Sequence, residues 1–522
     1  MLSVSGKNLI GYSVLGASNH FFYGFDPKAG MSLPQPFSIA MKEEVELALQ
    51  LAANAAALFR NWSPQKRKDL LHAIANKIEE NSEPLIYWFT TESGLPADRA
   101  KNELARACFQ LRTYGDAVAS GLVLDAVIDP ADEDRKPFPK PDLRRVNVAL
   151  GPVVVFGASN FPFAYSTIGG DVASALAAGC PVIVKAHPMH PHTSSLSAAI
   201  IAEVAREKGC PEGVFSHLLS DNYELGKQLV LAPEVKAVGF TGSIRGGRAL
   251  MDLASSRKEP IPVFAEMGSV NPIVVTKAVL KEQSEQIAQK IADSVALNAG
   301  QFCTSPGLLF VPEGANGDSF LSALKLYLQG KELQCMLHPG IFESYKKAVL
   351  DRATQLDVLV SGERSELSIT PVLHQVCAKD FLQNPQLSDE VFGSYLLCIP
   401  YKDDAELLEL IRALEGQLTG SVFCSEVELL DWFLALQEKV GRIIINGVPT
   451  GVEVSFAQQH GGPYPSSSNS GSTSVGANAV RRFMRPLAFQ NSPQDLLPDA
   501  LKKSNPWGIL RIVNGTTTIE PC

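Results

Sequence analysis

Three residue types that together could act on a carbonyl carbon are spread along this chain: a cysteine, a glutamate and an asparagine. Cys303 lies in NAGQFCTS (298–305), where glycine and polar residues replace the aliphatic neighbours of a typical buried, inert cysteine. A thiol becomes a nucleophile in such a polar, partly exposed setting. The segment therefore distinguishes Cys303 from the other cysteines as a candidate nucleophile.

Glu266 and Asn160 could complete such a site, although each also has an ordinary structural interpretation. Glu266 ends the apolar segment PVFAE (262–266) and precedes Met267 and Gly268. It is either a strand-end surface residue or a catalytic base whose pKa is raised by burial. Asn160 closes the turn GASN (157–160), where its amide either bonds its own backbone or donates to an oxyanion.

A glycine turn provides a candidate site for a phosphate group. FTGS (240–243) leaves a predicted strand and opens a predicted helix, so Gly242, Ser243 and the amides that follow could face an anion. The turn lacks the GxGxxG pattern and is equally explained by a backbone conformation that needs glycine. Lys185 ends the segment VIVK (182–185), at the sheet edge where open α/β sheets bind ligands, unless it simply extends into solvent.

The histidines and cysteines predict no metal site. His187, His190 and His192 lie in HPMHPH, where prolines break helical spacing and no further ligand completes a set, so a solvated loop is expected. His460, in QHGGP (459–463), is either structural or close to a thiol in the folded chain. The nine cysteines contain no CxxC pair, which argues against a zinc knuckle or a disulfide framework.

The elements that must position these residues alternate between strands and helices from residue 147 onward. Short Val- and Ile-rich runs with helical segments between them predict an α/β fold of parallel, doubly wound sheets. The first series has strands at 153–156, 182–185, 214–219, 237–240, 262–265 and 272–276 and helices at 171–178, 193–208, 223–231 and 246–255. The second has strands at 307–312, 357–361, 419–424 and 442–446 and helices at 280–298, 317–329, 404–414 and 426–439.

Other segments flank these two series. Before them, the pattern predicts short strands in the first forty residues, then helices from Met41, from Pro64 with Ser63 as N-cap, and over 99–114. The charged, proline-rich stretch 124–146 predicts an exposed connection or hairpin. The serine run PSSSNSGSTS (465–474) reads more readily as a linker than as an ordered loop, and a strand is expected at 509–513.

Composition and charge exclude several classes of protein. Lys and Arg total 46 against 55 Asp and Glu, a net charge of −9 that disfavours nucleic-acid binding. No apolar run approaches the ~18 residues of a membrane-spanning helix. The N-terminus shows no export signal, so a cytoplasmic location with reduced cysteines is expected.

Taken in order, these segments resemble the aldehyde dehydrogenase superfamily over roughly residues 40–490. The likeness is carried by an Asn-Phe-Pro turn, a strand-end lysine, Phe-Thr-Gly-Ser, a glutamate before a glycine, Gly-Gln-x-Cys and DEVFG (389–393). The segments FGASNFPF, FAEMGSVNP, GQFCTSPG and HGGPYP are similar to those of the α-ketoglutarate semialdehyde (2,5-dioxovalerate) dehydrogenase branch of this superfamily. NADP-dependent fatty aldehyde dehydrogenases are close kin by the same motifs.

The resemblance implies NAD(P)-dependent oxidation of an aldehyde to an acid. Cys303 would attack the aldehyde, the Asn160 amide and the Cys303 N–H would hold the oxyanion, and Glu266 would activate water to hydrolyse the thioester. His460 would tune Cys303. Further positions follow from the resemblance: for the cofactor Lys185, Gly242, Ser243, Glu390 and Phe392, and for the substrate channel Phe161, Ala164, Ile168, Phe302 and Thr304.

The resemblance also implies a domain organisation and self-association. A cofactor-binding domain would comprise 1–123 and 147–269, and a catalytic domain 270–446. The strands of 124–146 and 480–522 would form an oligomerisation element, and 447–479 would supply active-site and bridging loops. A homodimer or homotetramer is expected, with a small-molecule aldehyde as the only other partner.

One departure from the family pattern and one requirement of the substrate bear on specificity. Many members carry a carboxylate three residues after the strand-end lysine, where this chain has Pro188. Without that anion NADP becomes acceptable beside NAD and is the expected cofactor, with Arg245 as one candidate phosphate partner. A substrate carboxylate would need a cation, for which Arg106 and Arg112 are candidates, although surface salt bridges are the commoner fate of such arginines.

Three rival functions can be weighed against the same residues. A coenzyme A-acylating dehydrogenase would not need Glu266 as a hydrolytic base. A cysteine hydrolase using Cys303 and His460 would leave the turn at Gly242 unexplained. A non-catalytic family member would have no reason to keep the cysteine, the glutamate and the asparagine together.

Overall fold

A computed structural model describes residues 4–425 and 431–522 of the chain. Its helices are α1 (Lys42–Phe59), α2 (Pro64–Glu80), α3 (Ser82–Ser93), α4 (Ala97–Ala119), α5 (Gly170–Ala178), α6 (Pro191–Glu207), α7 (Glu224–Leu231), α8 (Ile244–Ser255), α9 (Leu280–Ala296), α10 (Ala315–Gln329), α11 (Pro339–Ala353), α12 (Ala378–Gln383), α13 (Asp404–Ala413) and α14 (Asp431–Lys439). No helix in these two stretches is both long enough and apolar enough to cross a membrane.

The strands form two large sheets and three smaller ones. They are β1 (Asn8–Ile10), β2 (Ser13–Leu15), β3 (Phe21–Asp26), β4 (Met31–Ser38), β5 (Val127–Asp129), β6 (Leu143–Ala149), β7 (Val153–Phe156), β8 (Val182–Lys185), β9 (Phe215–Leu218), β10 (Ala237–Thr241), β11 (Val263–Glu266), β12 (Ile273–Val275), β13 (Leu308–Pro312), β14 (Gln334–Cys335), β15 (Asp357–Val360), β16 (Arg364–Ser365), β17 (Ser368–Ile369), β18 (Val372–Gln375), β19 (Tyr395–Tyr401), β20 (Gln417–Phe423), β21 (Val440–Ile445), β22 (Met484–Gln490), β23 (Arg511–Val513) and β24 (Thr516–Thr518).

The first large sheet has the order β11-β10-β7-β8-β9-β1-β2. Its five strands from β11 to β9 are parallel, and β1 and β2 add an antiparallel edge. Alternate residues of β7 enter opposite cores, since Val153 and Val155 pack with α2 and α4–α6, whereas Val154 packs with α1 and α7. The sheet is therefore covered by helices on both faces, as the sequence predicts.

The register of this sheet brings the candidate residues to one edge. Phe156 at the end of β7 pairs with Lys185 of β8 and with Phe240 of β10. Thr241, the last residue of β10, pairs with Glu266 of β11. Because all four strands run in the same direction, the turns that follow them, including the one that holds Asn160, emerge together.

The second large sheet has the order β15-β18-β19-β13-β12-β20-β21, with only β15 antiparallel to its neighbour. It too separates two apolar cores, so the prediction of a second doubly wound unit is confirmed. The pattern missed several of its elements, including β18, α11 and α12. It also missed β19, where Pro400 argues against a central strand, but the proline lies one residue from the strand end.

The segment 124–146 does form a hairpin, because β5 and β6 pair antiparallel. The predicted C-terminal strand is β23, and with β22 and β24 these strands build a five-stranded sheet in the order β22-β6-β5-β23-β24. Strand β6 continues to Ala149, three residues beyond the expected boundary at 146. Of the helix predicted over 426–439, residues 426–430 lie outside the described residues.

Candidate active site

Cys303 is presented by a left-handed turn that follows α9. Asn298, Ala299 and Gly300 have φ values of 49°, 56° and 68°, a region that residues other than glycine rarely enter. At Gly300 a Cβ atom would lie 2.4 Å from the backbone of Gly393, so only glycine fits there. The turn reverses the chain and leaves the half-buried Cys303 facing the carboxyl edge of the first sheet.

The Cys303 thiol lies beside two titratable side chains from distant parts of the sequence. Its Sγ is 3.5 Å from Nε2 of His460, and the same Nε2 is 2.8 Å from Oε1 of Glu266. In hydrolase triads the imidazole contacts its carboxylate through the other ring nitrogen. Here a single nitrogen faces both the thiol and the carboxylate, so the arrangement is not a protease-like relay.

The serine run that composition assigns to a linker is instead packed against β11, and that prediction is wrong. The Ser466 carbonyl accepts from the N–H of Met267 at 2.8 Å, and Ser468 Oγ accepts from the N–H of Ala265 at 2.8 Å. Ser474 Oγ donates to Oε2 of Glu266 at 2.6 Å. Small hydroxyl residues satisfy the edge strand and the buried carboxylate, a role that composition does not reveal.

The surroundings of Glu266 and Cys303 shift the pKa values of both side chains. Burial alone would raise the pKa of Glu266, but the neighbouring His460 and the hydroxyl of Ser474 outweigh it and hold the pKa below its ordinary value. Of the two interpretations of Glu266, the surface residue is wrong because the side chain is buried, and the burial-raised pKa is wrong because the shift is downward, so the carboxylate is ionised at neutral pH. Burial and the adjacent Glu266 carboxylate raise the pKa of the Cys303 thiol, against a smaller opposing effect of Arg106.

Asn160 reaches the same pocket from the end of β7. Its side-chain amide donates to the carbonyl of Gln301, two residues before Cys303, at 3.1 Å. An amide nitrogen carries two hydrogens, so one remains to donate to an oxyanion formed near Cys303. The alternative, in which Asn160 only bonds its own turn, does not describe this contact.

Asn271 holds the Cys303 loop from the other side, and no motif around it in the sequence singles it out. The residue is fully buried with φ of 44°, and its Nδ2 donates to the carbonyls of Cys303 and Ser305, each at 2.9 Å. Thr419 on β20 donates to its Oδ1 at 2.8 Å. Asn271 thus ties the loop to the second large sheet.

An aromatic and cationic wall flanks the pocket. The rings of Phe161 and Phe302 meet edge to face at 5.5 Å, and the guanidinium of Arg99 lies 4.3 and 4.7 Å from their centres. Arg106 donates to the hydroxyl of Tyr165 at 3.1 Å. The Tyr165 ring in turn is 6.1 Å from the ring of His460. Tyr165 thus links Arg106 to the side of the pocket that holds His460.

The predicted channel residues do not all lie in one place. Phe161, Ala164 and Phe302 share one apolar cluster with Ala158, Tyr165, Val454 and Val475. Ile168 packs in the main core of the first domain instead, among residues of α4 and α5. Thr304 is buried. Arg112, the second candidate cation for a substrate carboxylate, lies on the surface, where it donates to the two carboxylate oxygens of Glu79, each at 2.7 Å.

The cofactor candidates follow the carboxyl ends of the strands. Lys185 donates to the carbonyl of Ser220 at 2.9 Å, and burial lowers its pKa to about 8. Ser243 is the N-cap of α8 and accepts from the N–H of Gly246 at 3.1 Å, while the N–H of Gly242 donates to the Glu266 carbonyl at 3.0 Å. The structure therefore gives the hydroxyl of Ser243 a capping role.

Glu390 and Phe392 approach this edge from the second domain. A Cβ atom at Gly268 would lie 2.5 Å from Oε2 of Glu390, so the glycine leaves room for the carboxylate. Burial raises the pKa of Glu390 to about 7. Phe392 is half-buried just before β19. Glu390, which precedes β19 of the second large sheet, thus lies beside Gly268, two residues after Glu266 at the end of β11.

The three clustered histidines are not a solvated loop, and that expectation is wrong. His190 and His192 are buried, and His190 Nε2 contacts the carbonyl of Ala158 at 2.8 Å. His192 stacks on Trp88 at 4.0 Å and contacts Glu92 through Nδ1 at 2.8 Å. His187 stacks on His190. Packing against distant aromatic and carboxylate side chains overrides the local polarity of the segment.

Comparison with known proteins decides the family. The profile of the aldehyde dehydrogenase family matches residues 35–486. The chain belongs to the aldehyde dehydrogenase family. It is 42% identical to alpha-ketoglutaric semialdehyde dehydrogenase 2 of Azospirillum brasilense, over 98% of this chain and 99% of that protein. It is 41% identical to alpha-ketoglutaric semialdehyde dehydrogenase of Acinetobacter baylyi, over 92% and 93% of the two chains.

Solved structures show the same fold at low sequence identity. A 1-pyrroline-5-carboxylate dehydrogenase from Thermus with bound NAD matches with a TM-score of 0.80 and 22% identity, over 93% of this chain and 92% of that one. Aldehyde dehydrogenase 21 of Physcomitrella patens, in complex with the reaction product succinate, matches with a TM-score of 0.78 and 20% identity, over 93% and 98% of the two chains. The family match and the two relatives at 41–42% identity, rather than these structures, show that the chain is an NAD(P)-dependent oxidoreductase acting on an aldehyde group.

One prediction about the aldehyde dehydrogenase site follows from its electrostatics. Replacing Glu266 by glutamine removes the anion that raises the pKa of Cys303, so more of the thiol is ionised at a given pH. We expect alkylation of Cys303 by iodoacetamide at one mildly alkaline pH to become faster, by on the order of tenfold. Peptide mass spectrometry would follow Cys303, with the exposed Cys377 as internal control. An unchanged or slower rate at Cys303 would contradict this interpretation.

Proposed function

We propose that the chain oxidises an aldehyde that carries a distant carboxylate, α-ketoglutarate semialdehyde, to 2-oxoglutarate and uses NADP in preference to NAD. The single observation that carries the substrate class is a guanidinium without a carboxylate partner at the pocket, that of Arg106. The names of the two relatives at 41–42% identity give this class its specific member.

The residues of the pocket divide the reaction into capture and release. Cys303, once deprotonated, adds to the aldehyde carbon, and the Asn160 amide with the Cys303 N–H stabilises the oxyanion of the thiohemiacetal. Bound NAD(P)⁺ supplies the two-electron oxidation to the thioester. Glu266, ionised at neutral pH, then takes a proton from the water that attacks the thioester and frees the acid. His460 and Ser474 hold the Glu266 carboxylate in place for this step.

The residues at the strand ends fit a dinucleotide. Lys185 and Glu390 offer a cation and a carboxylate from opposite sides of the cleft to ribose hydroxyls. Ser243 and the backbone amides after Gly242, at the N-terminus of α8, offer hydrogen-bond donors and a favourable dipole to the pyrophosphate. Phe392 provides an aromatic surface near Glu390 for the nicotinamide ribose.

The preference for NADP rests on Pro188, three residues after Lys185, where a carboxylate would repel a 2′-phosphate. Pro188→Glu should lower kcat/KM with NADP relative to NAD by at least about tenfold. Pro233→Glu is the matched control, because this exposed residue precedes β10 at the opposite edge of the same sheet. Initial rates with both cofactors test the prediction. An unchanged NADP/NAD ratio in Pro188→Glu would refute this role, and Arg245 would then be the remaining candidate.

The carboxylate preference rests on the different surroundings of Arg106 and Arg112. No carboxylate in the described residues pairs with Arg106 within ion-pair distance, and its Nε is buried without a hydrogen-bond partner. A half-buried guanidinium whose Nε is out of reach of water gains most from an anionic ligand. Arg99, by contrast, already pairs with Glu103 at 3.0 Å.

Arg106→Gln should lower kcat/KM for 2,5-dioxovalerate by about 10²-fold and leave an unsubstituted alkyl aldehyde within a few-fold of the wild type. Arg112→Gln removes an equal charge from the same helix and should change neither. Initial rates with both aldehydes provide the measurement. An equal loss of kcat/KM with both aldehydes would show that Arg106 supports the structure of the pocket and does not bind the substrate carboxylate.

The substrate itself is tested by initial rates with 2,5-dioxovalerate, succinic semialdehyde and a long alkyl aldehyde. We expect the highest kcat/KM for 2,5-dioxovalerate. A clear preference for the long alkyl aldehyde would instead favour a fatty aldehyde dehydrogenase, which the apolar cluster around Phe161 and Phe302 could also serve.

The five-stranded sheet would join chains in a dimer or tetramer, and the protein would act in the cytoplasm.

A further inference from the structure

The fold assembles three potential metal ligands at the catalytic cysteine that the sequence keeps far apart. Glu266, Cys303 and His460 each offer one ligand atom, and these atoms all lie within 4.8 Å of one another. Their positions follow no metal-binding spacing, so the sequence predicts no metal there. We propose that this trio binds Zn²⁺ reversibly and that the bound ion inhibits the enzyme.

The spacing of two ligand atoms already matches tetrahedral zinc. With Zn–S near ~2.3 Å and Zn–N near ~2.0 Å, a tetrahedral angle separates sulfur and nitrogen by about 3.5 Å. The distance from Cys303 Sγ to His460 Nε2 is 3.5 Å. The His460 Nε2 to Glu266 Oε1 distance of 2.8 Å must open by roughly half an ångström to reach the tetrahedral value.

The chemistry of the three donors selects zinc over harder cations. A thiolate, an imidazole and a carboxylate are a typical zinc set, and three protein ligands leave the fourth position for water. On binding, the Cys303 thiol loses its proton to solvent, and the two charges of Zn²⁺ balance the thiolate and the Glu266 carboxylate. This pairing satisfies two buried anions at once.

The surroundings predict a removable ion rather than a resident one. Ligating histidines usually donate their second nitrogen to a partner, yet Nδ1 of His460 is buried without one in the described part of the chain. Arg106 adds a nearby positive charge that opposes a cation. Zinc would occupy a lone pair of the Cys303 sulfur and an oxygen of Glu266, so Cys303 could not add to an aldehyde and Glu266 could not take a proton from water.

The proposal can be tested on the full-length enzyme with Zn²⁺ and Co²⁺, whichever aldehyde is the substrate. We expect complete inhibition by one equivalent of Zn²⁺ per chain, reversal by EDTA, and protection of Cys303 from iodoacetamide by Zn²⁺ alone. Co²⁺ should give a thiolate-to-metal absorption band that Cys303→Ser abolishes. His460→Phe should weaken Zn²⁺ binding by at least about 100-fold, whereas Cys377→Ser should leave it unchanged.

Several results would overturn the proposal. One is a Co²⁺ spectrum without the thiolate band in the wild-type enzyme. Another is unchanged Zn²⁺ affinity in both His460→Phe and Glu266→Gln, which would place the ion elsewhere. The protection experiment needs no variant, so alkylation of Cys303 at the same rate with and without saturating Zn²⁺ would also contradict the site.

Discussion

Cys303→Ser is expected to abolish aldehyde-dependent NAD(P)H formation, with kcat reduced by at least about 10³-fold. The hydroxyl of serine is far less acidic than a thiol, and this pocket already disfavours ionisation because it is buried beside the Glu266 carboxylate. Serine is also close in size to cysteine, so the fold and the cofactor cleft should persist. Steady-state absorbance measurements of NAD(P)H with saturating aldehyde provide the test.

Two controls make this result specific. Cys377→Ser changes an exposed cysteine of the second domain and should keep wild-type rates. Binding of NADPH to Cys303→Ser, followed by fluorescence, should also be preserved, which separates lost chemistry from lost structure. Turnover of Cys303→Ser within tenfold of the wild type would remove the thiol from the mechanism.

Glu266→Gln is expected to slow release of the acid far more than formation of the acyl enzyme. Glutamine keeps the size of the side chain and can still contact Ser474, but it cannot take a proton from water. Steady-state turnover should fall by about 10²–10³-fold, the contribution typical of a general base. In a stopped-flow experiment the first turnover should remain visible as a burst of NADPH close to one equivalent per active site.

The burst separates two roles for Glu266. If the carboxylate acts only in hydrolysis, the burst keeps its amplitude while the slow phase is reduced. Loss of the burst together with turnover would mean that Glu266 is needed to form the thioester. Glu390→Gln, which changes a carboxyl of the cofactor cleft, is the matched comparison and should show no selective loss of the slow phase.

The local sequence pattern was enough to predict the strands and helices that position Cys303, Glu266 and Asn160. Val-rich runs such as 153–156 and 182–185, with helical segments between them, are typical of parallel strands buried on both faces, whose turns share one edge of the sheet. Helix α2 begins at Pro64 with Ser63 as its cap, as the sequence indicates. These features depend on neighbours close in sequence.

What could not be predicted depends on contacts between distant segments. The serine run is ordered because its hydroxyls meet β11 about 200 residues earlier, as in the contact between Ser468 and Ala265. The lowered pKa of Glu266 arises from His460, which no local pattern places beside it. Arg106 and Arg112 lie on the same helix with similar neighbours, and only tertiary packing separates the pocket arginine from the surface one.

We propose one shared reaction centre, in which the sulfur of Cys303 and the carboxylate of Glu266 act in turn on the same carbonyl carbon. Its most direct test is to mix Glu266→Gln with 2,5-dioxovalerate and NADP⁺, quench in acid and map the protein by peptide mass spectrometry. We expect an acyl group on the peptide that contains Cys303, labile to hydroxylamine as a thioester is. A burst of NADPH without any acyl group on Cys303, or with the acyl group on another residue, would contradict it.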